Sequence, residues 1–186
     1  MDKHYISASQ LLKDSFDLAW QVYESGYRPN CVVGVWRGGT PVGIAVQELL
    51  EVLGVRSDHC AVQTISYSGI AERATDIQVS GLDVLISRQH GDDQVLLVDD
   101  VHDTGLSLAR LLQELEVQCQ GTLPEVRIAT PYFKPGNNQT GRVPDYFLYE
   151  TDDWLVFPHE LSGLDIQEIA ANKPEMQHLV DRISKR

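Results

Sequence analysis

The segment Val95-Leu96-Leu97-Val98-Asp99-Asp100-Val101-His102-Asp103-Thr104-Gly105-Leu106-Ser107-Leu108 decides how this chain is read. Its opening Val-Leu-Leu-Val run suits a strand buried on both faces. Two adjacent acids, Asp99 and Asp100, end the run, and Asp103 stands directly before Thr104-Gly105 and a helical pattern. A helix start leaves backbone N–H groups without partners, and with a hydroxyl on each side of Gly105 they can hold a phosphate dianion. Gly105 lets the backbone come close to the anion because it has no Cβ. Carboxylates repel phosphate, so these acids must face something else, and ribose hydroxyls with a magnesium ion are the natural partners. A ribose 5-phosphate, with its phosphate at one end and its diol in the middle, answers that pattern.

Upstream, Leu11, Leu12, Phe16, Ala19, Trp20 and Tyr23 recur at helical spacing between Ser7 and Gly26. Cys31–Trp36 reads as a short buried strand, broken by Arg37-Gly38-Gly39-Thr40-Pro41 and followed by a helix to about Leu53. A second strand is expected at His59–Ser66. Tyr67–Gly81 is polar and without a period, so it reads as a long surface loop, a kind of segment that often serves as a lid. Val84–Ser87 reads as a short strand. Downstream come a helix at Thr104–Leu115, a strand at Val126–Phe133 and a turn-rich stretch at Lys134–Val143. Strands at Asp145–Glu150 and Trp154–Phe157 and a terminal helix at Pro174–Ile183 complete the reading. Strand and helix alternate, which predicts an α/β fold with a mainly parallel central sheet flanked by helices. In such sheets the ligand lies beyond the carboxyl ends of the strands.

The composition sets the class. At 186 residues, 42% apolar and 23% charged, residues 1–186 read as a single domain with a real core. A net charge of -12 lacks the basic face that nucleic acid requires. No run approaches the ~18 apolar residues of a bilayer span, so no membrane partner is expected. The opening MDKHYISASQ has no apolar h-region, and a cytoplasmic location is expected. Cys31, Cys60 and Cys119 are odd in number and unpaired in spacing, which reads as reduced thiols rather than a zinc site.

Rival readings of the acidic segment are weaker. Asp103 or Thr104 as a plain helix cap explains only part of it. A Walker B strand would need a G-x-x-x-x-G-K-[ST] loop, and the chain has none. The acidic pair of a receiver domain opens that domain, whereas here about half the chain precedes it. Gly34, Gly38 and Gly39 do not have dinucleotide-fingerprint spacing.

Asp99-Asp100-Val101-His102-Asp103-Thr104-Gly105-Leu106-Ser107 resembles the phosphoribosyl pyrophosphate (PRPP) motif of type I phosphoribosyltransferases. The likeness spans most of residues 30–160 and is closest to the short bacterial and archaeal hypoxanthine and xanthine-guanine enzymes. It implies the type I phosphoribosyltransferase-like fold, with a small hood and a long flexible loop. It also implies a purine-salvage transferase that moves ribose 5-phosphate from PRPP to hypoxanthine, guanine or xanthine, and a homodimer or homotetramer. An enzyme for adenine or a pyrimidine, or a PRPP- or nucleotide-sensing regulator on the same fold, are the alternatives.

The resemblance also assigns residues. Asp99 and Asp100 would meet the ribose hydroxyls and Mg2+, with Glu160 a candidate for a second ion. Asp103 would act on the purine proton, and Asp103, Thr104, Gly105 and Ser107 would cradle the 5-phosphate. Arg37, Gly38 and Gly39 resemble the pyrophosphate loop, in which the family often has a non-proline cis peptide, here at Trp36–Arg37. Alone, Arg-Gly-Gly after a strand reads first as a tight turn. Ser66 and Tyr67 resemble the start of the mobile lid. Lys134 resembles the lysine that meets a 6-oxo group, Trp154 would stack on the base, and the backbone at Leu155 would meet its edge. Alone, Trp154 reads as core. His102 departs from the family pattern and reads as a bystander, or else as a modulator of Asp103.

Overall fold

Burial on both faces favours continuous apolar strands, and the two runs of that kind, Cys31–Trp36 and Gln94–Val98, lie side by side within the sheet. A computed structural model describes residues 3–67, 76–88, 93–119 and 124–185. In chain order the elements begin with β1 (Lys3–Tyr5), α1 (Ala8–Glu24), β2 (Cys31–Trp36), α2 (Gly39–Val52), β3 (Asp58–Tyr67) and β4 (Asp76–Ser80). Next come α3 (Leu82–Arg88), β5 (Gln94–Val98), β6 (Val101–His102), α4 (Leu106–Gln118), β7 (Glu125–Phe133) and β8 (Tyr146–Glu150). The chain ends with β9 (Trp154–Val156), α5 (Ile166–Asn172), a 3-10 turn (Pro174–Met176) and α6 (Gln177–Ile183).

The chain divides into two compact units, Leu12–Asp152 and the pair of segments Met1–Leu11 and Asp153–Arg186. The larger unit holds the main sheet, in the order β4-β3-β2-β5-β7-β6, with β8 also paired to β7. Every pairing is parallel except β3 with β4. This is the mainly parallel α/β sheet that the alternation predicts. Its core joins Val33, Val95, Leu97 and Ile128 of the strands to Leu111 and Leu115 of α4, all fully buried. Each such side chain contributes about 1.5–3 kcal/mol by leaving water. Cys31, Cys60 and Cys119 pack partly buried against this core.

In the smaller unit β1 runs parallel to β9, with Lys3 opposite Trp154 and Tyr5 opposite Val156. Asp165 and Glu168 form a reciprocal capping box at the start of α5. Buried Lys173 donates to the carbonyl of Phe157 at 2.7 Å.

Two sequence expectations change. Tyr67–Gly81 is not one loop, because Asp76–Ser80 forms β4 against the end of β3. Val84–Ser87 is not a strand but part of the helix α3. Gly81, at φ +87°, turns the chain, and Leu82 and Leu85 then fall three residues apart on one buried face. Both misreadings come from windows too short to separate a period of two from one of 3.6.

Candidate active site

The two loops with the chemical signal follow neighbouring parallel strands, so the sheet delivers them to the same end. After β5, the N–H of Asp99 donates to the Ala129 carbonyl at 3.2 Å, and the N–H of Asp100 donates to Asp99 Oδ1 at 3.0 Å. After β2, the Trp36–Arg37 peptide is cis, as the resemblance implied. Thr40 closes that turn, its Oγ1 donating to the Arg37 carbonyl at 2.7 Å. The loops then meet. A Cβ on Gly38 would lie 1.9 Å from Asp100 Oδ2, and one on Gly39 would lie 2.2 Å from the carbonyl oxygen of Val98. Only glycine leaves room for so close an approach.

The acids differ in environment. Burial, reinforced by the neighbouring charge of Asp100, holds the Asp99 carboxyl well above the ordinary aspartate value. The N–H groups of Asp100 and Gly39 oppose that shift. Asp103 lies past β6, where its Oδ1 accepts from Asn137 Nδ2 at 2.8 Å and its Oδ2 lies 3.3 Å from Lys134 Nζ. Lys134 leaves the end of β7 with its side chain only 11% exposed, its backbone N–H bonded to the His102 carbonyl at 2.9 Å. Beyond Asp103, Thr104 and Ser107 flank Gly105, which stands at φ +76° before α4. A Cβ there would meet His102 Nε2 and Thr140 Oγ1, each at 2.7 Å.

His102 packs edge-on to Phe133, with ring centroids 5.6 Å apart. Both of its ring nitrogens are buried, and the polar groups that face them are the Asn138 side chain and the Arg142 backbone. Burial lowers its pKa, which favours the neutral ring. Alternation along β6 sends His102 inward beneath Gly105, while Asp103, the next residue, meets Lys134 and Asn137.

The larger unit thus brings together Arg37, Gly38, Gly39, Asp99, Asp100, Asp103, Thr104, Gly105, Ser107 and Lys134 around the carboxyl ends of β2, β5 and β7. Arg37 is exposed. Trp154, Leu155 and Glu160 belong to the smaller unit. There Trp154 is 56% exposed, Leu155 is buried, and Glu160 Oε2 accepts from the Phe157 N–H at 3.1 Å. Ser66 and Tyr67 end β3, and residues 68–75, where the lid is expected, lie outside the described residues. Among the described residues no group of three or more His, Cys, Asp or Glu could hold a metal by itself. Among them, too, no helix is long and apolar enough to cross a membrane.

Sequence reading missed the stretch after Lys134, which braces the acidic loop. The Gln139 N–H donates to the Thr104 carbonyl at 3.0 Å, and the Gly136 N–H donates to Asp152 Oδ1 at 2.9 Å. Asn138 ties the stretch to itself, through Nδ2 to the Arg142 carbonyl at 2.9 Å and Oδ1 from the Thr140 N–H at 3.1 Å. Its Gly-Asn-Asn composition signals only a turn, and nothing local indicates what the turn holds.

Residues 5–165 match the phosphoribosyl transferase domain family. The chain belongs to that family. Among its relatives, the xanthine-guanine phosphoribosyltransferase of Desulfotalea psychrophila is 28% identical over 156 residues, 82% of this chain and 83% of the relative. A purine phosphoribosyltransferase structure from Pyrococcus horikoshii is 28% identical, with a TM-score of 0.66, covering 89% of this chain and 99% of the other. A Neisseria gonorrhoeae protein crystallised with bound ppGpp gives a TM-score of 0.71 at 21% identity, covering 94% and 97%, and shares the fold.

Proposed function

We propose that this member of the family transfers ribose 5-phosphate from PRPP to a 6-oxopurine, releasing pyrophosphate. The observation that carries the reading is the contact of Asp103 with Lys134 at 3.3 Å, beside loops that meet at Gly38 and Asp100. A carboxylate that accepts the purine proton thereby stands beside an ammonium that fits a 6-oxo group. Adenine offers an amino group there, a donor facing a donor. Similarity to the xanthine-guanine enzyme of D. psychrophila supports the choice of a 6-oxopurine, and similarity to the P. horikoshii enzyme supports a purine.

The chain's own residues account for the rest. The α4 start, with Gly105 and the hydroxyls of Thr104 and Ser107, suits the 5-phosphate. Arg37 and the N–H groups of Gly38 and Gly39 suit the departing pyrophosphate, where charge collects in the transition state. Asp99 and Asp100 suit the ribose hydroxyls. Their hard oxygens also fit magnesium, provided the ion completes its shell from substrate oxygens and water, since no third protein acid or imidazole joins them among the described residues. Magnesium would supply charge neutralisation on the pyrophosphate. Trp154 and Leu155 are proposed for the base, and Glu160 for a second ion. The existing hydrogen bond from the Phe157 N–H to Glu160 Oε2 competes with that last role.

Product formation from PRPP tests the reading, with hypoxanthine, guanine, xanthine, adenine, orotate and uracil supplied separately, with and without magnesium. Nucleotide from a 6-oxopurine, lost without metal, is the expected result. PRPP binding with no turnover on any base would instead favour a regulator on this fold. Lys134→Ala should reduce kcat/KM for the 6-oxopurine by about 10- to 100-fold, the scale of one hydrogen bond to a charged group. An equal loss on every base would remove Lys134 as the selector.

A further inference from the structure

A carboxylate rotates about a soft terminal torsion, so either oxygen of Asp103 could face the base unless something fixes it. Two donors hold the group, and they differ in kind. Lys134 Nζ, 3.3 Å from Oδ2, is a charged tip on a long stem with another assignment once a base arrives. Asn137 Nδ2, 2.8 Å from Oδ1, is a neutral amide on a short stem.

The backbone around Asn137 is held on both sides. Its own N–H donates to the Lys134 carbonyl at 3.2 Å. The preceding N–H, of Gly136, donates to Asp152 Oδ1 at 2.9 Å, and a Cβ on Gly136 would lie 2.8 Å from both Asp152 oxygens. Two residues on, the Gln139 N–H donates to the carbonyl of Thr104, the residue after Asp103. The stretch that carries Asn137 is therefore fastened to the same turn that carries Asp103.

We propose that Asn137 is a positioning residue for Asp103: its amide fixes Oδ1, so that Oδ2 becomes the oxygen offered to the purine proton when Lys134 turns from Asp103 to the oxo group. This role rests on the transferase reading above. It makes Asp103 competent only when a 6-oxo group draws Lys134 away, and it keeps the carboxylate oriented through that exchange.

The test is kinetics of the full chain with PRPP, magnesium and the preferred 6-oxopurine. Asn137→Ala should lower kcat roughly fivefold, the scale of one hydrogen bond, with the KM for PRPP unchanged. Asn137→Asp has the same shape but carries no donor when ionised and repels Asp103, so its kcat should fall further than that of the alanine variant. In an Asp103→Asn background, measured in single turnovers, Asn137→Ala should cause no further loss, because the group it orients is already gone. A wild-type kcat in Asn137→Ala, or an undiminished further loss in the Asp103→Asn background, would overturn the role. A wild type inactive on every base would remove this role and the transferase reading together. An active wild type indifferent to Asn137 would remove this role alone.

Discussion

Asp103→Asn is expected to lower kcat by on the order of a hundred- to ten-thousand-fold, the usual range for losing a positioned acid or base, while the KM for PRPP stays within a few-fold of wild type. Asparagine keeps the shape and one acceptor oxygen but cannot take a proton at neutral pH. Asp103 lies between the α4 start, proposed for the phosphate, and Lys134, proposed for the base, 3.3 Å from the Lys134 ammonium. Asp99 and Asp100, proposed for the ribose, and the α4 start, proposed for the phosphate, are unaltered by the change. A drop confined to kcat is therefore the signature of proton transfer. The side chain of Asp103 is 41% exposed but that of Lys134 only 11%, so a modest drop in melting temperature should accompany the loss of the ion pair. The check is steady-state kinetics beside a thermal melt. A kcat within a few-fold of wild type would end the acid–base assignment, and a KM for PRPP raised in proportion would reassign Asp103 to substrate binding.

Much of this arrangement was legible in the sequence because it lies in short contiguous runs. Val95–Val98 announces a buried strand by composition alone, and the acids after it fall where the strand must end. Arg37-Gly38-Gly39 was ambiguous by itself. Its place beside Asp100 follows from the register of β2 on β5, with Gly34 opposite Val98, which no local pattern carries. The failures share one cause. Leu82 and Leu85 gave too short a window to show a helical period, and Asp76–Ser80 is a strand only because β3 lies beside it. Lys3–Tyr5 is too short to announce itself without β9. Asn137 escaped for a related reason. An asparagine in a polar turn has many ordinary uses, and only a contact across 34 positions of sequence shows which one it has. His102 is the converse case, an unusual residue in the motif whose burial against Phe133 shows what it packs on.

Gly39→Ala should be the most damaging of the small substitutions, lowering kcat/KM by about a hundredfold or more, the scale reached when a site is displaced by roughly an ångström. The added methyl would lie 2.2 Å from the Val98 carbonyl oxygen and 2.8 Å from the Asp99 Cα. Both are backbone atoms, so no side-chain rotation relieves the clash. Relief requires the start of α2 to back away from the end of β5, which parts the Gly38 loop from Asp99 and Asp100. Overpacking of this kind also costs about 1–3 kcal/mol of stability, and a lowered melting temperature should accompany the lost activity. Gly38→Ala should do less, because its methyl meets the Asp100 carboxylate, a side chain able to turn aside. Gly43→Ala, one turn further along α2, is the control. Its methyl would find Gly34 Cα at 3.5 Å and Val98 Cβ at 3.8 Å, ordinary packing distances, and alanine in a helix is favoured over glycine by about 0.8–1 kcal/mol. PRPP binding by titration calorimetry, beside thermal melts of all three variants, reads the series directly. The order Gly39, Gly38, Gly43 in decreasing damage is the expected outcome. A Gly39→Ala protein that binds PRPP as wild type does would mean the two loops need not touch to hold the substrate, and the pyrophosphate role of Arg37-Gly38-Gly39 would fall with it.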